Sequence, residues 1–504
     1  MIKIIKEVTK KDLENWIYTI NESDKNLYIE ANNPDKIGIF QINGSTAERL
    51  CDEVKPENFN ELIAINAMAR PGPMETCAPF YVERKESGES PYPKIVEEIL
   101  NDSHYTFLYQ EQIMKTFHEI AGFTLEEADV VRGLMKKLGK ADKKEEDLKQ
   151  WDKILKKFIK GAIKLGIEEE KAIEISKDLQ AFSGYSFCKA HATSYAYIAL
   201  ITLYLSFYFR EYFYSSVLQY EVDRDKYLLD RINSVRRQGI ELLPPDINKS
   251  KITFIPEERN KIRYGLNDIK FVSENAASII IENAPYTSFF DCYMRTKGRA
   301  MTSKVLESLV SVGAFDSLNP ERKKLLHTLA LFWERKKSNK VEEKLKAIYD
   351  ECEKVTNAIP AMDTKSEDLI KYELQFYGFK IFSSLFTKER LEMVNKLDKM
   401  KLIYMDLDKV GNVSKKIPIT INGIRSFVDK NGNEMAFLEV EDINSKTTSV
   451  PVFASYWRVI KEDIIKNKLY LINVYMGRNG PVFGQSVWTE DEAKIKRMIK
   501  VIGT

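Results

Sequence analysis

Two short stretches carry side chains suited to binding anions. Arg132 and Lys136 stand four apart in Arg132-Gly133-Leu134-Met135-Lys136-Lys137, a spacing that puts both on one face of a predicted helix with Lys137 beside them. A guanidinium is a planar fork of donors and an ammonium is a point charge, so this face suits phosphate oxygens. Taken alone, Arg132 to Lys144 reads more readily as a solvated basic face than as a phosphate site. Lys189 and His191 are two apart in Ser186-Phe187-Cys188-Lys189-Ala190-His191, where a loop opens a long helix. The free N–H groups of a first helical turn add donors for an anion there. Arg70 precedes the rigid turn Pro71-Gly72-Pro73, which either presents its guanidinium to a partner or simply ends a helix. Phosphoryl transfer also needs carboxylates that hold two cations. Asp223-Arg224-Asp225 and Asp406-Leu407-Asp408 have a suitable form but read as surface or loop carboxylates, so no catalytic and no metal-binding residue is assigned.

The elements that must position these groups come from a chain of 504 residues, enough for roughly two to four domains. Lys+Arg 77 against Asp+Glu 75 leaves a formal charge of +2, so any basic surface is local. Five cysteines lie far apart without a CxxC pair, which excludes a disulfide framework and a zinc knuckle and suits a reducing cytoplasm. Cys188 reads as a small buried residue, and His104, His118 and His327 as satisfied structural residues. The uncharged run ATSYAYIALITLYLSFYF, Ala192 to Phe209, approaches a membrane span in length, but its Thr, Ser and Tyr content points to a buried helix and no membrane.

From about Thr9 to Val235 the periodicity is helical, broken at Arg70-Pro71-Gly72-Pro73, Tyr92-Pro93 and Gly184-Tyr185. Leu243-Pro244-Pro245-Asp246 is a hard stop, followed by β-like stretches near Phe254 and Ile262 to Gly265. Helical runs resume from Ser273 to Leu318. Pro320 to Thr364 reads either as solvated helices or as a mobile connector. After about Leu402 the period becomes 2, and ITINGIRSFV and EMAFLEVED flank a turn containing Asn431-Gly432. Further strands at Ser449 to Phe453 and Leu469 to Met476, a turn at Gly477 to Gly480 and a helical run near Tyr456 to Lys466 complete the pattern of a small antiparallel barrel. Oligonucleotide-binding and non-binding barrels share that pattern.

Several stretches, in order, resemble the fingers of C-family bacterial DNA polymerase III alpha subunits. They are Ile39-Phe40-Gln41, Arg70 to Glu75, Tyr109 to Met114, Ala121 to Thr124 with Ala128-Asp129, and Phe187 to His191. The resemblance continues through Leu243 to Asn248, Tyr264 to Leu266 with Ile269-Lys270, and Gly313-Ala314-Phe315-Asp316, covering about Asn21 to Gln485. In that family the catalytic aspartates of the palm precede the Phe-Gln segment. Here about 38 residues precede it, with no Asp-x-Asp among them. The resemblance therefore implies a split polymerase whose PHP and palm domains are encoded separately.

It implies a mainly α fold, with a large helical fingers domain at 1–235 and a helix-hairpin-helix-like domain at 236–320. A charged helical connector at 321–401 and a small all-β, OB-type barrel at 402–504 follow. The implied function is part of a DNA-directed DNA polymerase that binds incoming-nucleotide phosphates through Arg132, Lys136, Lys137, Lys189 and His191. Gly133 stands where the family has a second arginine, and Cys188 and Ala190 stand where it has Asn and Ser. Template contacts are assigned to Arg70, Lys270, Tyr456, Trp457, Arg458, Tyr475, Arg478 and Phe483. Phe271 and Ser273 replace glycines of the family's hairpin loop. Mg²⁺ is held by the palm partner, the isolated chain is inactive, and primer-template DNA, deoxynucleoside triphosphates and a sliding clamp are the other partners. No clamp-binding peptide stands out between Leu318 and Leu402. The expected location is the cytoplasm of a bacterium or of a virus-infected bacterial cell. The alternative function is a non-catalytic DNA-binding or decoy fragment that engages replication proteins.

Overall fold

Asn58 opens the helix Phe59–Met68 by accepting a 3.1 Å bond from the N–H of Glu61, a cap that contributes about 1 kcal/mol. The turn starting at Arg70 ends that helix, and Pro71, whose missing N–H is harmless in a first turn, starts the next, Pro71–Thr76. Gly122, at φ 64°, closes Gln110–Ala121. Local signals of this kind set most helix ends in a computed structural model describing residues 16–138, 145–183, 186–219, 224–298, 300–336, 341–360, 362, 364–383, 392, 394–396, 414–430, 432–443, 447–465, 468–477, 480–484 and 491–501. The fold is mainly helical, with a small β region at the C-terminal end. It divides into two compact units, Met1–Leu243 with Thr253–Tyr264, and Pro244–Ile252 with Gly265–Thr504.

In the first unit the aromatic run forms the helix Lys189–Tyr208, which packs on Phe59–Met68 and Lys25–Ala31. It buries Ala192, Ala196, Ala199, Leu200 and Leu203, as expected of a helix apolar all round. A bend of 117° separates it from Arg210–Gln219, and no single helix among the described residues is long and apolar enough to cross a membrane. Arg210–Gln219 rests on a three-stranded sheet, β1 Glu241–Leu243, β2 Ile255–Glu258 and β3 Lys261–Arg263, ordered β1-β3-β2. The helix Leu125–Leu138 carries the basic stretch and packs on Gln110–Ala121.

In the second unit Ser273, Ser288 and Thr302 cap Glu274–Glu282, Phe289–Thr296 and Ser303–Ser311, each hydroxyl accepting an N–H three residues on. The charged segment forms the helices Arg322–Lys336 and Glu342–Asn357. They are half-buried: Leu325, Leu329 and Phe332 are inside on the first, and Leu345, Tyr349 and Cys352 on the second. Gly313 takes φ 88° and leaves room for Arg322, which binds Asp316 at 2.6 Å and the carbonyl of Ser311 at 3.1 Å. A Cβ at Gly313 would lie 2.1 Å from the guanidinium.

The final sheet comprises β4 Lys415–Val428, β5 Glu434–Asp442, β6 Thr447–Val452, β7 Leu469–Gly477, β8 Gly480–Phe483 and β9 Ile499–Val501. Its order is β6-β5-β4-β7-β8, with β9 beside β7 and the helix Ala454–Ile460 between β6 and β7. Alternating residues Ile417, Ile419 and Ile421 on β4 meet Leu438 and Val440 on β5 in its core. Gly432 has φ 81°, while Asn431, Arg478 and Asn479 of the expected turns lie outside the described residues, as do Gly184-Tyr185, Asp223 and all of Asp406-Leu407-Asp408.

Candidate functional site

Phe187 gathers the fingers residues. Its N–H donates to the carbonyl of Leu108 and its carbonyl accepts from the N–H of Gln110, both at 2.9 Å, forming a one-residue parallel bridge with Tyr109. The Arg70 guanidinium lies 4.4 Å from the centre of the Phe187 ring, and the His191 ring lies 5.3 Å away on an exposed helical turn. Arg70 also donates to the carbonyl of Ala67 from Nε at 3.1 Å and Nη2 at 3.0 Å, and burial lowers its pKa from the ordinary arginine value. A stacked, carbonyl-bound and half-buried arginine is a structural clamp on this loop. Two of the three guanidinium nitrogens of Arg70 are thus already bound to the Ala67 carbonyl.

Gln110 joins the loop to the basic helix. Its Nε2 donates to the carbonyl of Ser186 at 3.3 Å and its Oε1 accepts from Arg132 Nη1 at 3.3 Å. Arg132 also binds Asp129 Oδ1 through Nε at 2.9 Å and Nη2 at 2.8 Å. Lys137 is exposed on the same helix, and the side chain of Lys136 lies outside the described residues. Arg132, Lys189 and His191 are therefore each linked to the Tyr109–Phe187 bridge or its flanking residues.

Carboxylates already pair with Arg132 and Lys189. Lys189 Nζ pairs with Asp102, and both Glu111 oxygens accept the Lys189 N–H at 3.0 Å, at the positive end of the helix Lys189–Tyr208. Gln112 braces the arrangement from behind, its Oε1 accepting the N–H of Leu108 and of Tyr109 at 3.0 Å and its Nε2 donating to Asp102 at 3.1 Å. Burial drives the Tyr109 hydroxyl pKa upward, keeping it neutral. Sequence reasoning missed Asp102, Glu111 and Asp129, whose partners are visible only after the chain has folded. Cys188 is half-exposed rather than buried, its thiol 3.6 Å from Glu111.

The remaining histidines are bonded: His104 to Glu61 at 3.0 Å, His118 to the carbonyl of Phe123 at 2.6 Å, and His327 to Thr356 at 3.0 Å. Glu61 is 2 % exposed and also accepts from Lys85 at 2.9 Å and from the N–H of Glu57 at 2.6 Å. Burial pushes its pKa up, but these bonds together hold it below the ordinary glutamate value.

In the second unit Lys270 is exposed, and its N–H donates to the carbonyl of Phe376 at 2.8 Å. Phe271 keeps a left-handed φ of 72°, the conformation a glycine would hold without strain, with its ring 54 % exposed. Tyr456, Trp457 and Phe483 require correction: they are 2 %, 5 % and 0 % exposed and plug the sheet core, so no ring face is open to a base. Tyr475 is half-buried on β7, Arg458 is exposed, and Arg478 lies outside the described residues. An exposed platform stands elsewhere. Phe427 and Phe437 stack at 5.3 Å and 15°, with the Arg425 guanidinium 5.2 Å from the Phe437 ring, where β4 extends beyond the core. The alternation Arg425, Phe427 on ITINGIRSFV was the signal for it.

Among the described residues no group of three or more His, Cys, Asp or Glu is placed to hold a metal ion. A family model described as the bacterial DNA polymerase III alpha subunit finger domain matches residues 1–166, and a helix-hairpin-helix motif matches 239–325. DNA polymerase III subunit alpha of Aquifex aeolicus is 31 % identical over 489 residues, which are 94 % of this chain and 39 % of that protein. The Staphylococcus epidermidis subunit is 30 % identical over 479 residues, 92 % of this chain and 42 % of that protein. The Halalkalibacterium halodurans subunit is 28 % identical over 491 residues, 95 % and 42 % respectively. The chain thus spans roughly two fifths of the length of the curated relatives it matches.

Proposed function

We infer, from a chain that belongs to the bacterial DNA polymerase III alpha subunit family, that it is the nucleotide- and template-handling part of a DNA-directed DNA polymerase. The observation that carries this reading is the joining of Arg132 and the Lys189–His191 turn through Gln110 and Phe187. Two cationic elements at a helix N-terminus and on a neighbouring helix suit a triphosphate, whose transfer depends on positioning and charge neutralisation. Arg132 offers the fork, His191 an exposed ring nitrogen, and the first turn of Lys189–Tyr208 its N–H groups.

The metal-holding carboxylates belong, on this reading, to a palm carried by another chain, which supplies Mg²⁺-assisted activation of the primer terminus. The five-strand order β6-β5-β4-β7-β8 with a helix between β6 and β7 supports an oligonucleotide-binding barrel for the last hundred or so residues. Its stacked Phe427 and Phe437 beside Arg425 suit unpaired template bases. A cytoplasmic setting and a sliding clamp as a further partner follow from the same reading.

Primer extension tests it. The purified chain alone should extend no primer with Mg²⁺ or Mn²⁺, and addition of a palm-bearing chain should restore synthesis through an interface as large and apolar as a cut domain core. Templated synthesis by the chain alone, abolished by substituting one of its own carboxylates, would falsify the assignment.

A further inference from the structure

The helix Glu145–Lys164 buries Trp151, Phe158 and Ala162 and exposes Lys153, Lys156, Lys157, Lys160 and Lys164. Steps of three or four residues keep these lysines along one side of the helix, over about 16 Å of its axis. They line an open cavity of about 670 Å³ whose floor is the end of Gln110–Ala121, from Glu119 to Gly122. Gly161 presses the two elements together, since a Cβ there would lie 2.5 Å from the Ile120 carbonyl oxygen and 2.6 Å from Ala121 Cα. The lysines thus stand on a wall whose position is set by backbone contact.

Lys156 pairs with Asp152 at 2.8 Å and Lys157 with Glu127 at 3.2 Å, both in the open. Such pairs hold weakly and exchange readily for another anion. Lys153, Lys160 and Lys164 form no ion pair among the described residues. Glu127, which anchors Lys157, and Arg132 are five residues apart on Leu125–Leu138, about 140° around its axis. The lysine face therefore looks to a different side from the nucleotide site. It also offers no ring to a base: Trp151 and Phe158 are buried, and the Lys157 ammonium lies 3.7 Å over Phe123. Single strands are held by charge together with stacking platforms, whereas a duplex has its bases already stacked and presents phosphates alone.

We propose that the lysine face of Glu145–Lys164 docks the sugar-phosphate backbone of duplex DNA outside the nucleotide site. The proposal rests on the chain's being part of a DNA polymerase. Lys153→Gln, Lys160→Gln and Lys164→Gln are combined in the full chain, with circular dichroism as the folding control. Binding of a labelled duplex and of a single strand of the same sequence is then titrated from low to moderate salt. Losing three phosphate contacts should reduce the slope of log affinity against log salt by about 2.7 and weaken duplex binding at low salt by about tenfold or more. Single-strand binding should persist, carried by the barrel. An unchanged duplex slope overturns the proposal and leaves the face to an acidic protein partner, and so does a parent chain that binds no duplex. Equal losses on duplex and single strand overturn the duplex assignment. Nucleotide binding is measured on the same proteins. Its absence from the parent chain, with the duplex effect intact, would sink the phosphate-site reading and spare this one.

Discussion

Replacing Arg132 with alanine separates its proposed phosphate contact from its part in the fold. The guanidinium reaches Asp129 at 2.9 and 2.8 Å and Gln110 at 3.3 Å, and the Arg132 and Asp129 side chains are 28 % and 56 % exposed. An ion pair this open contributes about 0–1 kcal/mol, so Arg132→Ala should lower stability by no more than about 1 kcal/mol. A charge-assisted contact to a triphosphate oxygen is larger, about 1.5–3 kcal/mol. The expected loss is therefore about tenfold to a hundredfold in kcat/KM for the nucleotide, with primer-template affinity little changed. Asp129→Asn supplies the opposite sign. Releasing the arginine from its internal counter-ion returns about 0–1 kcal/mol to phosphate binding, a gain of up to about fivefold. Single-nucleotide incorporation by the assembled enzyme gives both numbers, and a denaturant midpoint on each variant gives the stability control. Unchanged nucleotide kinetics in Arg132→Ala, or a fall in kcat/KM in Asp129→Asn, would refute the reasoning.

Four further variants probe the fold of the fingers unit and the barrel. Glu61→Gln leaves Lys85 and His104 facing a weaker acceptor at a 2 % exposed position and should cost about 3 kcal/mol or more in chemical denaturation. The lowered pKa of Glu61 means that its contribution is full above the unfolded glutamate value of about 4.3 and is lost as pH falls through the folded value, so the Glu61→Gln difference should shrink on acidification. Gly161→Ala forces a Cβ to within 2.5 Å of the Ile120 carbonyl. Overpacking of about 1–3 kcal/mol outweighs about 0.5–1 kcal/mol of helix propensity, so the midpoint should fall, and a rise would show that the two helices part freely. In the barrel, Arg425→Ala with Phe437→Ala should weaken single-stranded DNA binding without loss of fold, whereas Tyr456→Ala should lower stability first, as read by binding titration and thermal melting.

Local chemistry made much of this fold legible. Asn58, Ser273, Ser288 and Thr302 each precede a helix that they cap, and Pro71 and Gly122 mark helix ends for the reasons of φ and donors that apply in any sequence. Gly313 was visible as a motif, but its cause, the passage of Arg322 to Asp316, needs the folded turn. The basic candidates were visible because charge type is local, and their counter-ions were not. Asp102 meets Lys189 and Glu111 meets the same helix start from more than seventy residues away, a pairing imposed by the Tyr109–Phe187 bridge. The barrel aromatics failed for another reason. Period 2 marks two faces without saying which is inside, and Tyr456 and Trp457 sit on a helix that enters the core, so their ring size was read as binding surface when it is packing volume.

The counter-ions also explain a chain whose composition does not announce a nucleic-acid partner. Three of the positive elements around the Phe187 hub are matched by carboxylates: Lys189 by Asp102, Arg132 by Asp129, and the helix start at Lys189 by Glu111. A site balanced in this way stays folded without ligand and leaves the whole chain near neutrality, at +2. Under the proposed function, a triphosphate enters by exchange. It must displace Glu111 from the helix N-terminus and compete with Asp129 for Arg132, so the net gain is the difference between a multiply charged phosphate and single carboxylates at the same donors. That difference favours phosphate most strongly where a metal ion has already neutralised part of the charge and a second surface excludes water. On that reading a palm would supply both conditions, and the separate chain should bind free nucleotide only weakly.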